Sequence, residues 1–149
     1  MTNSEFKPAS DAPPPYGPPL SLDAAKRIAT AAEAEAMAQG WPVVIAVVDS
    51  TGNLALLHRM DQSNLAAVTL AQRKAETAVR FRRPTKAFED IVNGGGARVL
   101  SAASEILALE GGLPLLQAGQ VVGAIGVSGM ASPQDAQVAR AGASALPNE

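Results

Sequence analysis

The chain of 149 residues contains no cysteine and only one histidine, His58. The lack of cysteine excludes disulfide bonds, thiolate nucleophiles and cysteine-ligated metal ions. One histidine without cysteine argues against a zinc site built from protein side chains. A magnesium site would need clustered carboxylates, and the sequence contains no such acidic motif. We therefore predict that the protein has no metal site of its own.

The sequence also lacks a long apolar run and a strong excess of either charge. No stretch reaches the roughly 18 apolar residues of a membrane span, and the N-terminus has no apolar signal-peptide core. The net charge of −2 gives no general reason to expect nucleic acid or an anionic membrane as a partner. We therefore predict a cytoplasmic protein that binds neither nucleic acid nor membranes.

Aromatic residues make up only 3% of the chain, so alanine and valine must form most of the core. Small side chains bury little area each, and such a chain gains from burying more surface against copies of itself. The length suits one domain, which we assign to residues 21–149. Residues 1–20 hold six of the eleven prolines and read as an extended arm. We expect this arm to pack across a neighbouring subunit.

Helical and strand patterns alternate along the rest of the chain. Ser21 is placed to cap a helix that ends at Gly40, and turn residues separate two apolar strands on either side of Gly52. The predicted elements are helices at 21–39, 64–80, 85–91, 97–108 and from 132 onward, and strands at 43–49, 54–60, 113–117 and 121–128. Two hairpins with helices between them predict an α+β domain with one antiparallel sheet flanked by helices.

Several short motifs occur in a fixed order along residues 21–146. They are Asp49-x-x-Gly52, Arg59-Met60-Asp61, Lys74-Ala75-x-Thr77-Ala78, Arg83-Pro84-Thr85, Gly111-Gly112-x-Pro114, the glycine-rich strand 122–129, and Asp135 with Ala139. Each motif is weak alone, but together they resemble the GlcG/HbpS-like (haem-degrading-type) family, which includes the C-terminal domain of PduO-type proteins. The resemblance implies a five-stranded antiparallel sheet with profilin-like layering and a dimer-based oligomer, often an octamer. It also implies haem or cobalamin-related binding in some members and small-acid or aromatic catabolism in others.

The clearest chemical feature is a basic segment that holds six of the twelve lysines and arginines: Arg73, Lys74, Arg80, Arg82, Arg83 and Lys86. Such a run is either a solvated helix face or an anion site, since arginine binds carboxylates and phosphates through paired hydrogen bonds. Lys74 lies among small alanines, where a partly buried amine could meet a carboxylate. We take it as the leading candidate.

Arg59 and Asp61 flank Met60 where the second strand gives way to a helix. They either pair with each other to fix the turn, or Arg59 stands in a pocket beside Lys74. His58 shares a strand face with Leu54 and Leu56, which is typical of a packed side chain. As an axial haem ligand it would need a cavity beside it.

Three classes of function remain open. The first is an oligomeric protein that binds an anionic ligand, either haem or another tetrapyrrole or a small organic acid. Its candidate ligand contacts are Arg59, Lys74, Thr77, Arg83, Gly111, Gly112 and Ser128. The second is an isomerase, deaminase or hydrolase of carboxylic-acid or aromatic catabolism, in which Lys74, Asp61 and Glu110 are the catalytic candidates. A structural role in a larger assembly, with the arm as docking element, is a third interpretation. No cofactor is certain from the sequence, and haem is the candidate.

Overall fold

The computed structural model describes residues 5–147 of the chain. The helices are α1 (Leu22–Gln39), α2 (Ala67–Phe81), α3 (Lys86–Asn93) and α4 (Ser132–Ala143), and a short 3₁₀ turn covers Ala97–Ser101. The strands are β1 (Val44–Asp49), β2 (Leu54–Arg59), β3 (Gly112–Gln117) and β4 (Gln120–Ser128). None of the described helices is long and apolar enough to cross a membrane.

The four strands form one sheet in the order β2-β1-β4-β3, and every neighbouring pair is antiparallel. The predicted α+β class, with one antiparallel sheet built from two hairpins, is therefore confirmed. Within residues 5–147 the sheet has four strands, so the fifth strand implied by the family resemblance is not found there. The profilin-like layering remains a prediction.

Helices cover both faces of the sheet. On one face α1 and α4 pack over a core that includes Ile28, Val47 and Ile125. On the other face α2 lies against β1 and β4 through small residues. This approach is close because β4 has a glycine at Gly126, where a Cβ atom would collide with the backbone carbonyl of Ala71. Gly126 of β4 therefore permits the close packing of α2 on the sheet.

The predicted limits of α1 are confirmed. The Ser21 hydroxyl accepts a hydrogen bond from the Ala24 amide at 3.1 Å, and Gly40 ends the helix in the left-handed conformation with φ of 75°. Helix α2 begins at Ala67, later than the predicted start at residue 64, and its first amide donates to the Asn64 side chain at 2.9 Å.

The predicted helix at 97–108 is wrong beyond its first turn. Only Ala97–Ser101 forms a 3₁₀ turn, and the chain then runs without regular structure to β3. The physical reason is a tertiary contact, because the Thr77 hydroxyl accepts a hydrogen bond from the Leu107 amide at 3.1 Å and donates to the Glu105 carbonyl at 3.3 Å. These backbone groups bond to α2 instead of to a helix of their own.

The second half of the N-terminal arm lies on its own chain. The amide of Val121 donates to the Pro15 carbonyl at 2.8 Å, and the amide of Gly17 donates to the Val121 carbonyl at 2.9 Å. Tyr16 thereby forms an isolated parallel bridge with β4. Residues 5–11 of the arm are exposed, and packing of the arm across a neighbouring subunit remains a prediction.

Candidate functional site

Most of the predicted site residues meet at one end of the sheet. Val44 lies opposite Arg59 on one side and Ser128 on the other, so these three residues form a row across β2, β1 and β4. Neighbouring strands are about 4.8 Å apart, which puts Arg59 and Ser128 roughly 10 Å apart along the row. Lys74 reaches the same end from α2 and bonds to β4 next to Ser128. The structure thus brings Arg59 and Lys74 to one region but into different surroundings.

Lys74 is a buried member of an ion pair. Its ammonium group donates to the carboxylate of Asp135 at 3.0 Å and to the carbonyl of Val127 at 2.9 Å. Each residue of the pair is only 2% exposed. The pair joins α2 to the first turn of α4 and to β4, so we assign it a structural role in holding these elements together.

Asp135 is bonded on both of its oxygens. One oxygen takes the Lys74 hydrogen bond, and the other accepts from the Met130 amide at 2.9 Å. Burial raises the pKa of Asp135 above the ordinary aspartate value, while the charge of Lys74 and the Met130 hydrogen bond oppose that rise. Burial is the largest cause, so this carboxyl group holds its proton more tightly than an exposed one.

The Gly111-Gly112 pair wraps closely around Lys74. Gly111 has φ of 129°, and a Cβ atom there would lie 2.9 Å from the Lys74 ammonium nitrogen and 2.7 Å from the Val127 carbonyl. A Cβ atom on Gly112 would collide with the backbone carbonyl of Lys74. The Gly112 amide donates a hydrogen bond to the Thr85 hydroxyl at 2.9 Å. Both glycines therefore permit close packing of the chain around the ion pair.

The remaining sequence candidates, and the side chain of Ser128, lie apart from Arg59. Thr77 is buried and holds the 105–107 loop, and Ser128 is buried at the end of β4. Glu110 is largely covered, with its carboxylate 4.0 Å from the Arg140 guanidinium. Arg83 is exposed just beyond α2. None of these four side chains lines the hollows around Arg59.

Much of the basic segment is already paired. Arg80 forms an ion pair with Glu105 at 2.9 Å, and Lys86 pairs with Asp90 at 3.1 Å. Arg82 lies over the ring of Tyr16, 4.8 Å from its centre. With Lys74 also paired, the segment does not act as one continuous anion site.

Arg59 differs from these paired cations because its side chain is exposed and has no partner within the described residues. It is exposed, and within residues 5–147 its guanidinium forms neither an ion pair nor a side-chain hydrogen bond. The Arg59–Asp61 pair, one of the two alternatives that the sequence left open, is thus not formed. Arg59 lines a hollow of about 380 Å³ together with Glu33, Met37, Met60 and Asp61.

Two further hollows adjoin this one. The first runs along the end of α1 and is lined by Ala36, Met37, Gly40, Trp41, Pro42, Met60 and Asp61, and the second lies in the loop Arg59–Ser63. We name the three together the Arg59 cleft. Its lining includes two thioethers and an indole, together with the Arg59 guanidinium, which has no ion-pair partner within residues 5–147. Arg59 and Asp61 could be identified from the sequence, but Met37 and Trp41 could not. They lie about 20 residues before Arg59, and the local sequence pattern there predicts only where α1 begins and ends.

His58 stands beside the Arg59 cleft. Its Nδ1 atom lies 3.3 Å from a carboxylate oxygen of Glu33, a cleft residue, but the two are not aligned for a hydrogen bond. The His58 side chain is one-third exposed. It is therefore neither a sealed core residue nor a member of a metal-ligand cluster, since no group of three or more acidic or histidine ligands occurs in residues 5–147.

Comparisons with known proteins agree with this fold. The family described as "Haem degrading protein HbpS-like" matches residues 20–144. Protein GlcG of Escherichia coli K12 is 44% identical over 109 residues, which cover 73% of this chain and 81% of that protein.

Two solved structures show the same similarity. One is HbpS of Streptomyces reticuli, a double mutant, with a TM-score of 0.80 and 32% identity over 99% of both chains. The other is the PduOC:heme complex, with a TM-score of 0.79 and 29% identity over 86% of this chain and 95% of that one.

Proposed function

Because the chain belongs to the HbpS-like family, we propose that it binds a small anionic ligand with an apolar face in the Arg59 cleft, and that haem is the first candidate. The observation that carries this proposal is that Arg59, which has no ion-pair partner within residues 5–147, shares its cleft with apolar side chains. An exposed guanidinium without a protein carboxylate is free to bind one from a ligand. The PduOC relative, solved with heme, supports haem as the ligand to test first.

The residues of the cleft fit haem in three respects. Met37, Met60 and Trp41 offer soft, apolar surface to a flat ring. Arg59 offers a partner for a propionate group. His58 is available beside the cleft, where Glu33 faces one of its ring nitrogens and could orient the ring, as carboxylates do for metal-binding histidines. Haem, when bound, would supply the redox chemistry of its iron.

The charges of the cleft also limit which anions it accepts. Asp61 and Glu33 line the same hollow as Arg59, so a compact polyanion would meet repulsion there. A monocarboxylate, or a large ring with its carboxylates at one edge, can place negative charge on Arg59 and apolar surface on the methionines. The proposed ligand class is therefore an amphipathic carboxylate rather than a phosphate.

A second copy of the chain would complete the site. Met37 is 67% exposed in the cleft, and Leu65, in the loop between β2 and α2, is 85% exposed. Exposed apolar residues of this size beside an open cleft favour an interface that covers them. We propose a dimer-based homo-oligomer, with an octamer as the expected larger form. Analytical ultracentrifugation tests this, and a monomer at micromolar concentration would contradict it.

The enzyme interpretation has one favourable observation. Asp61 lies in the same cleft as Arg59, so an acid that Arg59 orients would have a carboxylate nearby for proton transfer. Lys74 and Glu110, the other catalytic candidates, do not line the cleft. Loss of turnover in Asp61→Asn, with ligand affinity kept, would support catalysis.

The cytoplasmic location remains a prediction.

Titration with haemin tests the proposed function directly. We expect a saturable change in the Soret band at one haemin per chain. A small aromatic carboxylate serves as the second probe, since Trp41 is the only tryptophan of the chain and lies in the cleft. Its fluorescence should change as that acid binds. Absence of saturation with both probes would contradict the proposal.

A further inference from the structure

His58 has a ring nitrogen whose hydrogen bonding is incomplete. Its Nδ1 atom is the only buried side-chain polar atom of residues 5–147 without a hydrogen-bond partner. Buried polar atoms are nearly always paired in folded proteins, so an exception calls for a physical explanation. Because His58 is the only histidine of the chain, any function that needs an imidazole falls to this ring.

The sheet and α1 together fix the position of the His58 ring. Strand β2 pairs His58 with Ile45 of β1, whose side chain belongs to the core beneath α1 and α4. Residues directly opposite each other in an antiparallel pair share a face of the sheet, so His58 lies on the face that α1 covers. There a carboxylate oxygen of Glu33, on α1, lies 3.3 Å from Nδ1.

The second ring nitrogen, Nε2, is accessible. It forms no hydrogen bond within residues 5–147, it is not buried as Nδ1 is, and the His58 side chain is one-third exposed. A neutral imidazole carries its proton on one nitrogen and a lone pair on the other. The Glu33 carboxylate favours the proton on Nδ1, because its negative charge attracts an N–H group and repels a lone pair. The lone pair is therefore left on Nε2.

This arrangement of carboxylate and imidazole is the one in which proteins hold metal-binding histidines. Glu33 also lines the hollow that contains Arg59 and Met60, so the pair borders the cleft for which haem is the first candidate ligand. Building on that proposed function, we propose that Nε2 of His58 is the axial ligand of haem iron and that Glu33 is its positioning residue. The thioethers of Met37 and Met60 are the alternative iron donors in the cleft.

The first experiment tests the role of Glu33 without any ligand. The protein is made without a histidine tag and with nitrogen-15 in its histidine ring, so every ring signal comes from His58. At a pH of about 8.5, above the usual titration range of histidine, we expect the ring proton mainly on Nδ1. Glu33→Gln should move it mainly to Nε2, the nitrogen that an unperturbed histidine side chain prefers to protonate.

Glu35→Gln is the matched control for this experiment. It makes the same change on the same helix, but the Glu35 carboxylate bonds to Gln39 and Gln137. We expect its ring signals to match those of the wild type. An unchanged proton position in Glu33→Gln would overturn the positioning role.

The second experiment adds zinc protoporphyrin to the labelled wild-type protein. This diamagnetic porphyrin accepts one axial ligand and leaves the ring signals visible. We expect the Nε2 signal to shift as the absorption band of the porphyrin saturates, while Nδ1 keeps its proton. Saturation of the band with an unchanged Nε2 signal would overturn ligation by His58 and leave the Arg59 cleft as the binding site. Absence of saturation would overturn both.

The third experiment removes the ring. We expect His58→Gly to bind haemin about tenfold or more weakly, since even the partners of metal-ligating histidines contribute 10–100-fold to metal affinity. Added imidazole should restore the wild-type Soret band of protein-bound haemin, measured after gel filtration removes the free complexes. His58→Phe, which fills the space of the ring, is the control and should not respond. Wild-type affinity in His58→Gly, or an equal response of both variants to imidazole, would overturn the proposal.

Discussion

Two cations at the same end of the sheet have opposite surroundings. Lys74 is buried, bonds to Asp135 and Val127, and is wrapped by glycines. Arg59 is exposed, lacks a carboxylate partner within the described residues, and stands above a hollow. A buried charge is tolerated where the protein itself neutralises it, whereas a free charge beside apolar surface is available to a ligand. We therefore expect the Lys74 pair to stabilise the fold, and we propose that the Arg59 cleft recognises the ligand.

The largest expected effect comes from breaking the buried pair. Lys74→Ala leaves Asp135 buried without its cation, which should cost about 3–5 kcal/mol of unfolding free energy, out of a total of about 5–15 kcal/mol for a domain. Urea denaturation measures this loss. The double variant Lys74→Met/Asp135→Leu removes both charges and should recover most of the stability. If Lys74→Ala unfolds at the wild-type urea concentration, the pair is not structural.

A smaller effect is expected at Thr77, which ties the irregular 105–107 segment to α2. Thr77→Val keeps the shape but removes the hydroxyl, leaving the Leu107 amide without its acceptor. The Glu105 carbonyl also loses its donor, so we expect a loss of about 1–2 kcal/mol, since one hydrogen bond contributes about 1 kcal/mol. Thr77→Ser, which keeps the hydroxyl, is the control in the same denaturation series. Equal losses in both variants would show that packing rather than the hydrogen bond is responsible.

The pH dependence of stability separates the two regions further. The pKa of Asp135 is raised in the folded protein, mainly by burial, so the folded state binds this proton more tightly than the unfolded state. The resulting stability is present below the unfolded pKa, about 3.9, and is lost as pH rises through the higher folded value. The stability of wild type relative to Asp135→Asn should therefore increase as pH falls through that window. A pH-independent difference would contradict this origin.

The smallest expected effect on stability is at Arg59. Its guanidinium has no partner to lose within the described residues, so Arg59→Ala should change the unfolding free energy by less than about 0.5 kcal/mol. Thermal or urea unfolding of this variant beside Lys74→Ala tests the contrast between the two cations. A loss comparable to that of Lys74→Ala would mean that Arg59 also has a structural role.

Local signals in the sequence predicted much of the fold but little of the site. Ser21, Gly40 and the turn around Gly52 act on their own neighbours, so the limits of α1 and the first hairpin follow from sequence. The 97–108 segment has a helical composition, but its Leu107 amide bonds to the side chain of Thr77, 30 residues away in sequence. That contact exists only after α2 and the segment have packed.

The site shows the same limit. Lys74 and Asp135 are 61 residues apart, and no spacing rule connects them, although both belong to motifs of the family resemblance. Met37 and Trp41 reach the Arg59 cleft because α1 packs against β2, which brings the end of the helix close to Arg59. The type of chemistry could be predicted from residue types, but which cation is paired and which is free depends on packing.

A haemin titration of Arg59→Ala beside Arg83→Ala tests the central claim most directly. Both variants remove an exposed arginine, but only Arg59 lines the cleft. Loss of a charge-assisted contact should weaken haemin binding about tenfold or more in Arg59→Ala, while Arg83→Ala should bind as wild type does. Equal affinities in the two variants would contradict recognition at the Arg59 cleft.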